Sequence, residues 1–217
     1  MVSIGIGITT YNRPECLKEC LEHIYKHTFM DNVTLYVATD TNKDRKGVAF
    51  RKNECLKSLK NCDYIFLFDD DCFPIKDGWV EFFTSKMNNI LTSHLLFLND
   101  KMHNKTNNHT NDCYVYNNCG GVFMALTKGA INKVGAFNEK FEKYSFEHAE
   151  YSQRVNKAGF CYSPYLCAKG TENYIYSHDY STPNHKSSIT DDEKQVCVKN
   201  NWHKFFNEPI KNIYLPL

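Results

Sequence analysis

Two hydrophobic periods alternate along the chain, and their order outlines a fold. Val2, Ile4, Ile6 and Ile8 alternate with Ser3, Gly5 and Gly7. That period of two predicts a strand, and its small positions predict close backbone packing around it. The polar turn "TTYNRPE" follows, in which Asn12 is placed to cap a helix, Pro14 fits its first turn and Glu15 completes a capping-box spacing. Leu17, Cys20, Leu21 and Ile24 then recur at helical spacing. The unit repeats: "VTLYVATD" is a strand ending at Asp40, "TNKDRKG" is a polar loop, and Val48, Cys55, Leu56 and Leu59 mark one face of a helix over 48 to about 60. "YIFLFDDD" is a continuous apolar run of the kind buried on both faces of a sheet. Asp77 then caps a helix carrying Trp79, Phe83, Met87 and Ile90, and "HLLFLND" is a fourth strand.

Strands alternating with helices predict an α/β fold with a central, mostly parallel sheet and right-handed crossovers. Ligands bind such sheets beyond the carboxyl ends of the strands, where Thr9 to Arg13, Asp40 and Asp69 to Asp71 converge. The second half is less regular. Residues 99–112, asparagine-rich and polar, read as a mobile loop. "CYVYNNCGGVFMAL" reads as one or two strands around Gly120 and Gly121, "TKGAINKVGAF" as a short helix and turn, and "SFEHAEYSQRVNKAG" as a helix ended by Gly159. Tyrosine-rich strand pieces, the "SHDYSTPNHKSS" loop and a helix from about 190 to 206 complete the chain. With no internal repeat and no linker, residues 1–217 read as one domain with a regular half over 1–100 and a less regular half over 101–217, where a small additional β element is expected.

Composition narrows the partners. The 217 residues include 26 basic and 25 acidic side chains, a formal charge of +1, which argues against a broad nucleic-acid footprint. Ten cysteines without a paired CxxC read as small apolar residues in a reducing compartment. The N-terminal "MVSIGIGITT" lacks the basic segment of a signal peptide, and no apolar run reaches the ~18 residues of a membrane helix, so a soluble, cytoplasmic protein is expected. The sequons at Asn32, Asn104 and Asn108 are then expected to carry no sugar.

The chemistry concentrates in Asp69, Asp70 and Asp71, three adjacent carboxylates whose repulsion a cation would relieve. Oxygen ligands beside phosphate suit Mg²⁺ or Mn²⁺. Asp69 and Asp71 either share a face or flank a turn. Glu147, Glu150 and Arg154 lie on one helix face. A carboxylate and an imidazole can each act as general base near neutral pH, so both Glu147 and His148 are candidates, with Glu147 ahead. Gly120 and Gly121 either allow close backbone approach to a ligand or form a bulge. His178, beside Asp179, is a candidate metal ligand, with His185 behind it, and Lys186 is a candidate phosphate contact.

"FLFDDDCFPIKDGWVEFF" resembles the DxD segment of GT-A-type nucleotide-sugar glycosyltransferases, especially glycosyltransferase family 2. "VSIGIGITTYNRPECLKECLEHI" is similar to that family's first strand and nucleotide-binding turn. "GGVFMALTKGAINKVGAFNEKFEKYSFEHAEYSQRV" is similar to its third signature. The three matches stand in the family's order over roughly residues 2–160. The chain's small size and its richness in asparagine and lysine also resemble GT-A transferases of large algal viruses, which implies a viral protein. The family resemblance implies a GT-A fold and a hexosyltransferase-type enzyme that moves a sugar, most simply from a UDP-sugar, to an acceptor hydroxyl on a glycan or glycoprotein. It implies that Thr9, Tyr11 and Arg13 line the nucleotide pocket, that Asp40 accepts from the base, and that Asp69 lies near ribose and metal. Asp71 would ligate the metal, Asp70 would occupy the variable place between them, and a late histidine such as His178 would complete the ligand set. The family's Glu-Asp pair is Glu147–His148 here, a departure that leaves the base open. Two alternatives stand beside this reading: a non-catalytic nucleotide- or sugar-binding protein on the same fold, and a nucleotidyltransferase, which would want a glycine-rich basic loop where "TTYNRPE" stands.

Overall fold

The computed structural model describes residues 2–182, 185 and 187–217. Its elements are β1 (Ile4–Tyr11), α1 (Pro14–His27), β2 (Val33–Asp40), α2 (Val48–Leu59), β3 (Tyr64–Asp69), β4 (Cys72–Pro74), α3 (Trp79–Asn89) and β5 (His94–Leu96). There follow β6 (Cys113–Val115), β7 (Phe123–Thr127), α4 (Lys128–Val134), α5 (Glu147–Lys157), β8 (Leu166–Ala168), β9 (Ile175–Ser177), α6 (His178–Ser181) and α7 (Asp191–Phe206).

The central sheet has the order β2-β1-β3-β7-β5. β1 runs parallel to β2 and β3, with Tyr11 beside Asp40 and Thr9 beside Asp69. β7 is antiparallel to both β3 and β5, so it alone reverses direction in a sheet otherwise parallel. The small residues of β1 have the use their pattern predicts. A Cβ at Gly7 would stand 2.7 Å from the Cβ of Cys55, so α2 lies almost on the strand backbone. On the opposite face Trp79 and Phe83 of α3 pack against Phe66 and Phe123, with Phe66 and Trp79 edge-to-face at 4.8 Å. One continuous core joins both halves of the chain, from Ile4 to Tyr180, and eight of the ten free cysteines are buried in the structure. Among the described residues no helix is long and apolar enough to cross a membrane.

Two short ribbons sit outside the sheet. β6 pairs with β8, and β4 pairs with β9. The second ribbon has a functional consequence: with Cys72 opposite Ser177, the His178 amide bonds the Asp71 carbonyl at 2.9 Å, which lays the start of α6 against the aspartate turn.

Some local expectations are corrected. α1 starts without a side-chain cap; Asn12 adopts φ 52° and donates to Asn42 Oδ1 at 2.7 Å instead. α3 is capped by left-handed Gly78, while Asp77 accepts from His27 Nδ1 at 2.7 Å. "HLLFLND" pairs only over His94–Leu96, the length its partner β7 can match. The 99–112 segment is fastened at several points: Lys105 bridges Tyr116, the Asn104 amide donates to Asn118 Oδ1 at 2.7 Å, and Lys86 meets Asp112 at 2.7 Å.

Candidate active site

The aspartate run leaves the sheet as a turn, so its three carboxylates diverge. β3 ends at Asp69, whose amide bonds the Val122 carbonyl at 2.9 Å, while the Asp70 amide bonds the Thr9 carbonyl at 3.1 Å. Asp69 faces α2. Its Oδ1 accepts from Lys52 Nζ at 2.9 Å and from Thr9 Oγ1 at 3.0 Å. Burial opposes its charge, but the Lys52 ammonium and the nearby His148 outweigh that and hold its carboxyl below the ordinary range. Asp70 is fully buried and accepts from Thr10 Oγ1 at 2.5 Å and from Arg13. Burial pushes it up to about 6 even with the guanidinium beside it. Asp71, 2 % exposed, accepts from Arg13 Nη1 at 2.5 Å and from His185 Nε2 at 3.2 Å, and its Oδ1 has no hydrogen-bond partner among the described residues.

Asp71, Asp179 and His185 each bring one ligand atom to within 4.8 Å of the others. The donor set is two carboxylates and one imidazole, which fits Mn²⁺ or Mg²⁺, and the unpartnered Asp71 Oδ1 supplies a lone pair for it. Burial, then the charges of Asp71 and Asp69, raise the Asp179 carboxyl above its ordinary range, the mark of acids gathered without enough positive charge. The structure does not bring Asp69 or His178 into this set. Asp69 is turned toward Lys52, and His178 donates to Glu19 at 2.9 Å and contacts Thr182 Oγ1 at 2.9 Å. His185, the histidine placed second in the sequence, is the one that meets Asp71. Lys186 falls outside the described residues.

Asp40 is 5 % exposed and has both oxygens engaged, by the amides of Lys46 and Gly47 at 2.9 and 2.8 Å and by Arg51 at 3.1 Å. It fixes the loop between β2 and α2. Tyr11 stands at the strand ends, with its hydroxyl on Asn42 Oδ1 at 2.8 Å and the Arg45 guanidinium 4.4 Å from its ring centroid.

A second cluster lies across β7. Glu147 and His148 open α5, both nearly buried, with the His148 Nδ1 2.8 Å from Glu147 Oε1. Glu147 Oε2 and His148 Nε2 lack partners among the described residues. Gly121 is the seat of the imidazole: a Cβ there would fall 1.9 Å from the ring. Gly120 faces the Tyr180 hydroxyl, 2.7 Å from where a Cβ would stand. Both glycines are therefore explained by side chains that crowd them. Glu150 is bound by Arg154 Nε at 2.9 Å, and that fully buried guanidinium also holds the carbonyls of Val134 and Ala136 at 2.7 and 2.6 Å. These two residues tie α5 to the chain around it.

The sequence reading missed Lys52. It is fully buried, and its ammonium joins Asp69 to the Gly121 carbonyl at 2.7 Å, bridging both acidic clusters. A lysine on the apolar-striped face of α2 was the available signal, since lysine is almost never fully buried unless paired.

No protein-family model matches the chain, and no curated protein matches it in sequence. Solved structures do. S. aureus TarS residues 1–349 in complex with UDP superposes with a TM-score of 0.59 at 12 % identity, covering 97 % of this chain and 74 % of that one. GalNAc-T7 with UDP, GalNAc and Mn²⁺ gives 0.59 at 12 % identity over 94 % of this chain and 50 % of that one. A Drosophila β-1,4-galactosyltransferase 7 in complex with manganese, UDP-Gal and xylobiose gives 0.55 at 14 % identity over 89 % and 79 %. The chain spans only 36 % of a longer TarS structure. At these identities the likeness establishes the fold: a mixed α/β architecture matching GT-A glycosyltransferases.

Proposed function

We propose that the protein is a metal-dependent glycosyltransferase that takes its sugar from a nucleotide donor, UDP-linked by preference, and passes it to an acceptor hydroxyl. The observation that carries this reading is the meeting of Asp71, Asp179 and His185 at the carboxyl edge of a GT-A sheet, with one buried Asp71 oxygen unpartnered. Neighbours of the same fold are solved with UDP and Mn²⁺, with UDP-Gal and manganese, and with GDP-Man and Mn²⁺. When bound, a divalent cation at these residues supplies Lewis-acid stabilisation for charge on the leaving diphosphate.

The protein's own groups divide the remaining work. Thr9, Tyr11 and Arg13 border the nucleotide position at the end of β1. Arg13, now on Asp70 and Asp71, is within reach of any phosphate placed there. Lys52 holds Asp69 in place and keeps it ionised. In a transfer with inversion, His148 receives the acceptor proton on Nε2, the nitrogen without a partner. Glu147 accepts from Nδ1–H and so fixes that tautomer. This ordering reverses the expectation that Glu147 leads.

A non-catalytic binding protein is the second reading, and Arg13 favours it, because its guanidinium already neutralises two of the aspartates. Thermal melts separate the two. UDP with Mn²⁺ is expected to raise the melting temperature, by about 2.7 kcal/mol of apparent stability at a hundredfold excess over Kd. Asp71→Asn is expected to remove the manganese-dependent part while UDP alone behaves as in the wild type. A shift that survives in Asp71→Asn sinks the metal assignment, and binding without turnover of any sugar nucleotide favours the second reading.

A further inference from the structure

Glu147 is delivered to the site by an unusual stretch of chain. Lys143, Ser145 and Phe146 all adopt positive φ, at 61°, 86° and 70°. Such strain persists only where the surroundings enforce it. Helix α7 does the enforcing: Asn201, 1 % exposed, donates its amide to the carbonyls of Tyr144 at 2.8 Å and Glu142 at 3.3 Å. Phe146 packs its ring against Phe205 at 5.0 Å and Trp202 at 6.1 Å.

The outer side of this junction is an open groove of about 470 Å³ between Tyr144 and α7. Trp202 is 49 % exposed there and Tyr144 37 % exposed, with Gln195, Val198, His203 and the cationic Lys194 and Lys199 completing the lining. Among the described residues lining it none is acidic. Lys194 stands a loose 3.8 Å from Asp191. The groove lies beside the chain that leads into the site. Tyr144 precedes Glu147 by three residues, and after burial the charges of Glu147, Asp179 and Asp69 act on its phenol, which is pushed up to about 12.

We propose that this groove binds the acceptor, a saccharide carrying carboxylate, sulfate or phosphate groups, with sugar faces stacked on Trp202 and Tyr144 and its anions met by Lys194 and Lys199. Flat aromatic faces with a few convergent polar groups suit a sugar ring, and two lysines with no acid in the lining favour anionic ones. The inference rests on the transferase reading above.

Three probes test it on the intact protein with UDP and Mn²⁺ present: tetragalacturonate, a heparin-derived tetrasaccharide and neutral maltotetraose. The chain has two tryptophans, and Trp79 is fully buried, so a change in emission reports on Trp202. Both acidic probes are expected to bind about tenfold tighter than the neutral one at low salt, and to lose that advantage at high salt. By calorimetry Trp202→Ala should weaken acidic-probe binding by about tenfold, Trp202→Tyr should restore most of it, and Lys199→Gln should cut the acidic preference alone. The nucleotide-dependent melting shift should persist in all three variants. Equal affinity for neutral and acidic probes, or no binding to any, overturns the proposal. So does sedimentation showing a Trp202-dependent dimer, which would make the groove a face for a second copy. Saccharide binding in a wild type that shows no nucleotide shift would instead overturn the acceptor role together with the transferase reading.

Discussion

Gly121 shows how little room the site leaves. The His148 ring occupies the space where a side chain would begin, with ring atoms 1.9–2.2 Å from the Cβ position. Gly121→Ala must displace the imidazole, and overpacking of this kind costs about 1–3 kcal/mol. Urea unfolding should register that loss, and sugar transfer should fall with it because His148 loses its place. Gly129 is the contrasting case. A Cβ there meets Phe160 at an ordinary 3.5 Å inside α4, so Gly129→Ala should be neutral or stabilising by up to about 1 kcal/mol. Equal destabilisation by the two substitutions would refute the steric account. Lys52 follows the same logic in charge. A fully buried ammonium is tolerable because Asp69 and the Gly121 carbonyl face it, and those two contacts pull both clusters together.

At the scale of elements, helix α7 acts as a clamp. It is capped by Thr190 Oγ1, which accepts from the Glu193 amide at 3.2 Å. Its work lies farther along, where Asn201 holds carbonyls of the strained 142–146 segment. Asn201→Ala takes the side-chain donor from part-buried carbonyls, at about 1 kcal/mol. The segment should then relax, so limited proteolysis is expected to cut near residue 144 faster than in the wild type. Unchanged cleavage and unchanged stability would show that the left-handed residues hold their conformation without α7. The ribbon of β4 and β9 acts similarly on the other cluster, because its register sets His178 on the Asp71 carbonyl and thereby brings Asp179 and His185 to the turn.

For the whole molecule, pH acts through His94. This residue of β5 is fully buried, with Nε2 2.8 Å from Ser152 Oγ of α5, and burial pushes its pKa down to about 4 from an ordinary 6.5. A folded-state pKa below the unfolded one means that the unfolded chain takes up a proton the folded chain refuses. The contribution to stability is complete above pH 6.5 and is lost as pH falls toward 4. Between pH 7 and pH 5 the linked loss is about 2 kcal/mol. Asp70, pushed up to about 6, takes up a proton on the folded side over the same range and works the other way. The His94 part is therefore read as the difference between wild type and His94→Gln in urea melts at the two pH values, and the variant should lose less stability than the wild type. A variant as acid-sensitive as the wild type would assign the loss to other groups.

The repeating strand and helix periods, the left-handed Gly159 that ends α5, and the aspartates at the end of β3 could all be read directly along the chain. Each follows from neighbours within a turn or a strand, where periodicity and turn chemistry act locally. Folding decided which groups meet. Nothing in the spacing distinguishes His178 from His185; the pairing of Cys72 with Ser177 across more than a hundred residues turns the first toward Glu19 and the second toward Asp71. Likewise Lys52 lies 17 residues from Asp69 and 69 from Gly121, and joins them only because α2 packs on the face of β1 and β3 where Thr9 and Asp69 point. Such contacts depend on register and on the direction of side chains across layers, quantities fixed by the packing of the whole core.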